Sequence, residues 1–403
     1  MTLPSFDIET CWPPELRLVV AAATSGWDDR SRESMHAGAA AGVDWQRIPA
    51  IAHTHALLPL VYSGLAGCSA VPPAINLALR GAYEANAHNS LLLTSELLRV
   101  THALRQADVF AVAYKGPAAA QRFYGNLALR SFSDLDLLIE PAAHERAVSV
   151  LADCGYARYR SVRDWRRQQL GDCEEEFVHP DHQTTVDLHW DIAQPYLSIG
   201  PLPSGWQARA RNLPLGHSEV TVFAPADEAL VLTIHGGKHR WQRLGWLVDF
   251  ARSTALEDLD WEALLRSAAQ MRIRYHLLLA AALAHLCLRA AVPPAVLAAA
   301  KAANVPWTYA EATARSYADE SGPHASRLRR WGFNLGMRER WIDRARAAFR
   351  FTFRPDNADL AENPLPTYGA FLYPVVRASR VAARTVKAIA GDDGAASEKR
   401  DRR

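Results

Sequence analysis

Asp134 and Asp136 stand two apart in the run Asp-Leu-Asp-Leu-Leu-Ile, residues 134–139. The run reads as a strand, and strand residues i and i+2 share a face. Two carboxylates held side by side repel unless a proton or a cation lies between them. Mg2+ suits that position, because it binds through carboxylates together with substrate phosphate oxygens. Asp187 has a similar setting in Thr185-Val186-Asp187-Leu188-His189. If its strand lies beside the first, three carboxylates cluster. Such a cluster can hold two ions in the geometry that displaces pyrophosphate from a nucleotide. His189 shares the face of Asp187, where it either reaches the edge of the metal site or serves as a supporting or core residue.

Upstream, Lys115-Gly116-Pro117 breaks a short apolar run, Val109–Tyr114, that reads as a strand. The loop leads into a short helix, Ala118–Tyr124, closed by Gly125-Asn126. A strand that turns into a helix through glycine presents backbone N–H groups, which favour phosphate. Lys115 adds a point charge for a β- or γ-phosphate. The glycine spacing of a Walker loop is absent. Arg130, four residues before Asp134, is placed to pair with the carboxylates or to touch phosphate.

His235, Lys238 and His239 interrupt an otherwise apolar helix. Gly236 stands where a metalloprotease motif needs Glu, so His-Glu-x-x-His chemistry is excluded. Lys238 and His239 either reach the triphosphate or acceptor, or make packing and interdomain hydrogen bonds. Asp249 is expected to pair with Lys238 or Arg243. Trp190 and Trp246 read as core. Arg377, Arg380, Arg384 and Lys387 share a helix face, read as a solvated face or as a contact for an anionic surface or RNA backbone.

The elements that must position these residues fall into four parts. Residues 1–85 read as a helical N-terminal region with Pro-marked turns, and 86–200 as a compact α/β unit. Within the latter come a long helix from about Tyr83 to Gln106, the strand 134–139 and a helix Pro141–Asp153. Two further strands, Glu176–His179 and Thr184–Trp190, flank a turn at Pro180-Asp181-His182-Gln183. Residues 201–354 read as a helical domain, with Asp227 as a cap. Residues 355–403 form a basic helix and a tail expected to be disordered.

Composition narrows the class. The 403 residues are 49% hydrophobic and 22% charged, as in an ordinary globular protein. Forty-five Lys and Arg against 43 Asp and Glu leave +2, with no strong nucleic-acid signature. Five cysteines without a Cys-x-x-Cys pair argue against a disulfide framework or a zinc ribbon. The first residues do not form a signal peptide, and Leu277–Leu288 falls short of the ~20 residues of a transmembrane helix. The expectation is a reduced, cytoplasmic protein.

The succession Lys-Gly, Phe-Tyr-Gly, Arg130–Ile139, Val186–Trp190 and His235–Phe250 resembles the uncharacterised nucleotidyltransferase family of the polymerase-beta-like superfamily, from about residue 50 to 380. That resemblance implies an α/β (α+β) nucleotidyltransferase core with a mixed β-sheet between largely helical N- and C-terminal regions. It also implies a divalent metal site and transfer of a nucleoside monophosphate. Asp134 and Asp136 match the paired metal-binding aspartates, Asp187 the third carboxylate and Gly116 the loop glycine. One departure is Pro117, where many members have Ser or Gly and where no N–H is available. The expected co-substrate is an NTP, taken as ATP, with Mg2+ or Mn2+. The expected acceptor is a hydroxyl on a small molecule, a peptide or protein, or an RNA end. A kinase-like phosphotransferase and a catalytically silent nucleotide-binding protein are the alternatives.

Overall fold

The computed structural model describes residues 5–159, 173–194, 197–256, 259–319, 327–355, 359, 363 and 365–389. The tail after residue 389 lies outside them. The contacts divide the chain into two units. The first comprises Met1–Tyr159, Glu174–Ile192 and Pro201–Gly322, and the second Arg160–Cys173, Ala193–Gly200 and Pro323–Arg403. Among the described residues, no helix is long and apolar enough to cross a membrane.

The first unit opens with six helices, α1 (Ile8–Cys11), α2 (Pro14–Thr24), α3 (Asp29–Ala40), α4 (Ile48–Thr54), α5 (Leu58–Leu65) and α6 (Pro73–Gln106). Pro at the first turn starts α6, where its missing N–H costs nothing, about ten residues earlier than the apolar pattern alone suggests. The α/β part follows as β1 (Ala111–Tyr114), α7 (Gly116–Tyr124), β2 (Asp134–Ile139), α8 (His144–Asp153), β3 (Ala157–Arg158), β4 (Glu174–Val178) and β5 (Thr185–His189). The sheet is mixed, in the order β1-β2-β5-β4-β3. Among the described residues only β2 and β5 run parallel, and Asp136 lies opposite Asp187 in their register.

Alternation sorts the two faces. Leu135, Leu137 and Ile139 of β2 and Val186 and Leu188 of β5 pack under Leu93, Leu97, Val100 and Leu104 of α6 and Val150 and Leu151 of α8. The odd-even partners on the same strands, Asp134, Asp136, Asp187 and His189, therefore fall on the other face. There a smaller apolar cluster forms from Val112, Tyr114, Leu138, Phe223 and Val231. Every residue of β2 after Asp134 is buried, so the sheet is covered on both sides of that strand.

A short helix α9 (Trp206–Arg209) leads to a hairpin, β6 (Arg211–Leu215) and β7 (Ser218–Val222), within the stretch read from sequence as helical. Gly216, at φ +63°, makes its tight turn. Helices α10 (Pro225–Lys238), α11 (Leu244–Ala255), α12 (Trp261–Gln270), α13 (Arg274–Leu288), α14 (Pro294–Ala302) and α15 (Val305–Ser316) complete the unit. Asp227 is not the cap of α10. It lies in the first turn and takes a two-pronged hydrogen bond from Arg209 at 2.8 and 3.0 Å.

The second unit contains α16 (Arg327–Gly336), α17 (Trp341–Phe353) and α18 (Tyr373–Ile389). Arg377 and Arg380 of α18 do not form a solvated face. Both turn inward onto the buried Asp359 carboxylate. The side chains of Arg384 and Lys387 lie outside the described residues.

Candidate active site

Asp136 is the centre of the site. Its carboxylate Oδ1 accepts hydrogen bonds from Lys115 Nζ at 2.6 Å and from His189 Nε2 at 3.1 Å. Burial alone would push this carboxyl up. Lys115 and His189 outweigh burial and hold it well below the usual carboxylate range. Asp187, across the parallel pair, has the opposite fate. Burial, then the negative charges of Asp136, Asp134, Glu174 and Glu176, push it up to about 8. Asp134 is likewise raised, by burial and by Asp136, against the pull of Lys115 and Arg130. One strand pair thus carries a firmly ionised carboxylate beside one that resists ionisation.

Lys115 reaches Asp136 because the chain turns sharply between β1 and α7. Lys115 has φ +58° and ψ −150°, a conformation ordinarily reserved for glycine, and Gly116 follows at φ +44°. A Cβ on Gly116 would touch the Asp134 carbonyl oxygen at 3.4 Å, so the loop lies close against β2. The N–H groups of the first helical turn have no partner inside the helix, and Pro117 removes one of them.

The other residues singled out from sequence lie around this centre in different ways. Arg130 does not touch the carboxylates directly. Its Nε donates to Asp249 Oδ2 at 2.9 Å, and Tyr124 OH donates to Asp249 Oδ1 at 2.7 Å. Asp249 is thus the partner of Arg130 and Tyr124 rather than of Lys238 or Arg243, because it sits on the buried face of α11. Arg130 still lies close enough for its charge to be felt at Asp134 and Asp136. Lys238 Nζ lies 3.6 Å from Glu174. His239 packs its ring on His235 (4.9 Å) and Trp246 (5.0 Å) and is pushed down to about 4 by burial and Lys238.

Three site residues escaped the sequence reading or were underweighted by it. His189 joins Asp136 directly, and the signal was its position two after Asp187 on one strand face. Glu174, 3.4 Å from His189 Nδ1, follows from the β4–β5 register that sets it opposite His189. His235 lies near enough to Lys115 and Asp136 to feel both, and burial with Lys115 keeps its ring neutral. The glycines beside it are structural. A Cβ at Gly236 would strike the Trp241 ring at 2.5 Å, and one at Gly237 would strike His276 at 2.6 Å.

Among the described residues, Asp136, Asp187 and His189 bring one ligand atom each within 4.8 Å of one another. Two carboxylates and an imidazole are a donor set for a divalent cation. Asp187 ionises reluctantly, first because it is buried and then because Asp136, Asp134, Glu174 and Glu176 lie near it, and a cation among these carboxylates would relieve that repulsion. The residues present therefore fit such an ion. Asp134 is outside that three-atom group but on the same strand face.

A family model described as an uncharacterised nucleotidyltransferase matches residues 41–289, which include this whole site. No curated protein matches the chain. With more than half of its length matched, the chain belongs to that family of uncharacterised nucleotidyltransferases.

Proposed function

We propose that the protein transfers a nucleoside monophosphate from an NTP, with ATP as the expected donor, to a hydroxyl acceptor and releases pyrophosphate. The observation that carries this reading is the in-register pair Asp136–Asp187 beside Lys115 at the start of α7. Asp136, Asp187 and His189 would hold a divalent cation, with Asp134 at its edge. When bound, Mg2+ or Mn2+ supplies charge neutralisation for the triphosphate and lowers the pKa of the acceptor hydroxyl. An imidazole in the donor set favours Mn2+ over Mg2+, and an all-carboxylate set favours Mg2+.

The remaining work falls to the chain's own residues. Lys115 leaves Asp136 for a phosphate oxygen as the nucleotide enters, so it changes partner without leaving the site. Gly116 lets the backbone approach the phosphates. Arg130, anchored by Asp249, holds positive charge beside the carboxylates without moving. Lys238 and His239 stand at the end of α10, where Lys238 can exchange Glu174 for phosphate or acceptor. Asp187, ionised once a cation shares its negative charge, would take the proton from the acceptor hydroxyl.

The test is label transfer. The protein is incubated with an extract of small molecules, proteins and RNA, with ATP labelled at the α- or the γ-phosphate. Acceptor labelling from the α-position, lost in Asp136→Asn, is expected. Labelling from the γ-position would identify a phosphotransferase and overturn the proposal.

A further inference from the structure

The second unit carries an apolar face that its own packing does not use. In α17 two stripes run at spacing four. Asp343, Ala347 and Phe351 face inward: the first two are buried, and Phe351 packs on Trp331 at 4.5 Å and under Arg377 at 5.2 Å. Trp341, Ala345, Phe349 and Phe353 form the other stripe, and all four are exposed. Trp341 is 77% and Phe349 64% accessible. Phe349 and Phe353 stack on each other at 5.0 Å. Just before α18, Phe371 is 76% accessible, and Val375 and Val386 on that helix are also exposed.

Eight of the fourteen exposed large hydrophobic side chains among the described residues lie in this one unit, although it is much the smaller of the two. A soluble surface rarely concentrates them in this way without a partner. Charge identifies the partner's sign. Residues 323–389 contain thirteen Lys and Arg against five Asp and Glu, a net of +8 in a chain whose total is +2. Arg344 and Arg346 flank the aromatic stripe of α17; Arg344 Nε donates to the Arg338 carbonyl at 2.9 Å, and Arg346, still 44% accessible, reaches the helix's single acid, the buried Asp343, at 3.4 Å.

We propose that this unit docks the protein on an anionic lipid surface, with the outward stripe of α17 entering the headgroup boundary and its arginines meeting lipid phosphates. An amphipathic helix with aromatic residues on one face and Arg at its borders has the composition of such an interfacial segment. An RNA backbone would use the arginines and stack on the rings. It would gain nothing from the exposed Ile342, Val375 and Val386. Packing this face against the same face of a second copy would bring two strongly positive surfaces together. The surface lies beyond residue 289, outside the family match, and the inference is independent of the nucleotide site.

The full chain is sedimented with phosphatidylcholine vesicles made with and without phosphatidylglycerol. Binding to the anionic vesicles, weakened by salt and absent with phosphatidylcholine alone, is expected. The variant Trp341→Ala/Phe349→Ala changes only exposed side chains, so its thermal melt should match wild type. Its vesicle affinity should fall at least ~10-fold, since each ring contributes more than the ~1.4 kcal/mol that makes a decade. No sedimentation with either vesicle, or equal binding by the variant, overturns the proposal. So does capture of an RNA homopolymer, or self-association in sedimentation velocity, that the variant abolishes while vesicle binding is missing.

Discussion

Asp136 and Asp187 face each other across one strand pair, yet removing their charges should move stability in opposite directions. For Asp187 the carboxyl rises from the usual 3.8 to about 8. A raised carboxyl favours the folded state below pH ~4, where both states are protonated. That advantage is lost as pH rises through about 8, because folding must then bury the ionised form. At about 1.4 kcal/mol per pH unit of displacement the ceiling is ~6 kcal/mol at alkaline pH. Asp187 is partly accessible to water, and screening brings the effect to about 1–2 kcal/mol. Asp187→Asn should therefore raise the melting temperature of metal-free protein by about 1–3 °C at pH 8, and by nothing at pH ~4. For Asp136 the sign reverses. Asp136→Asn leaves Lys115 without its carboxylate in a largely buried position, which costs about 2–4 kcal/mol. The melting temperature should fall by about 3–5 °C at pH 8. The assay is a thermal melt of both variants in EDTA across that pH range. Destabilisation by Asp187→Asn at pH 8, or the same sign for both variants, would refute the electrostatic account of the site.

Three further outcomes follow from the geometry. Asp249→Asn strands Arg130 and weakens the hold on Tyr124, so urea denaturation should show a loss of about 2–4 kcal/mol, against about 1 kcal/mol for Tyr124→Phe. Gly236→Ala forces a methyl into the Trp241 ring and should cost about 1–3 kcal/mol in the same assay, whereas exposed Gly332→Ala should be neutral or better. Lys115→Ala should weaken ATP affinity at least ~10-fold by calorimetry, consistent with loss of one charge-assisted phosphate contact; unchanged affinity would remove Lys115 from the phosphate site.

The legible parts of this fold were those carried by local alternation. Asp134–Ile139 reads as a strand because Leu and Ile occupy every position that must enter a core, and the structure has those bounds. The alternation also placed Asp187 and His189 on one face of their strand. It could not say that β5 lies beside β2, because parallel neighbours are joined only through distant chain. The family resemblance supplied that adjacency. Partnerships across long separations were illegible for the same reason. Arg130 finds Asp249 119 residues away, and nothing in the local pattern of either residue announces it. Arg377 and Arg380 share a helix face, as their spacing requires, but Asp359 outside the helix decides that the face turns inward. In the hairpin β6–β7, Leu213 and Leu215 and then Val220 and Val222 do keep the period of two, but each run is only five residues and Pro214, which cannot donate to a ladder, counts against a strand. Glu174 entered the site through the register of a hairpin whose closing turn sets which residue meets His189.

The most direct test of the central claim is calorimetric titration of ATP and the other NTPs into wild type, Asp136→Asn and Asp187→Asn, each with Mg2+, Mn2+ or EDTA. The account predicts that wild type binds one nucleotide in a metal-dependent manner, and that EDTA or either substitution weakens this at least ~10-fold. Nucleotide binding of equal strength in EDTA and in both variants would contradict a metal and nucleotide site built on the Asp136–Asp187 pair.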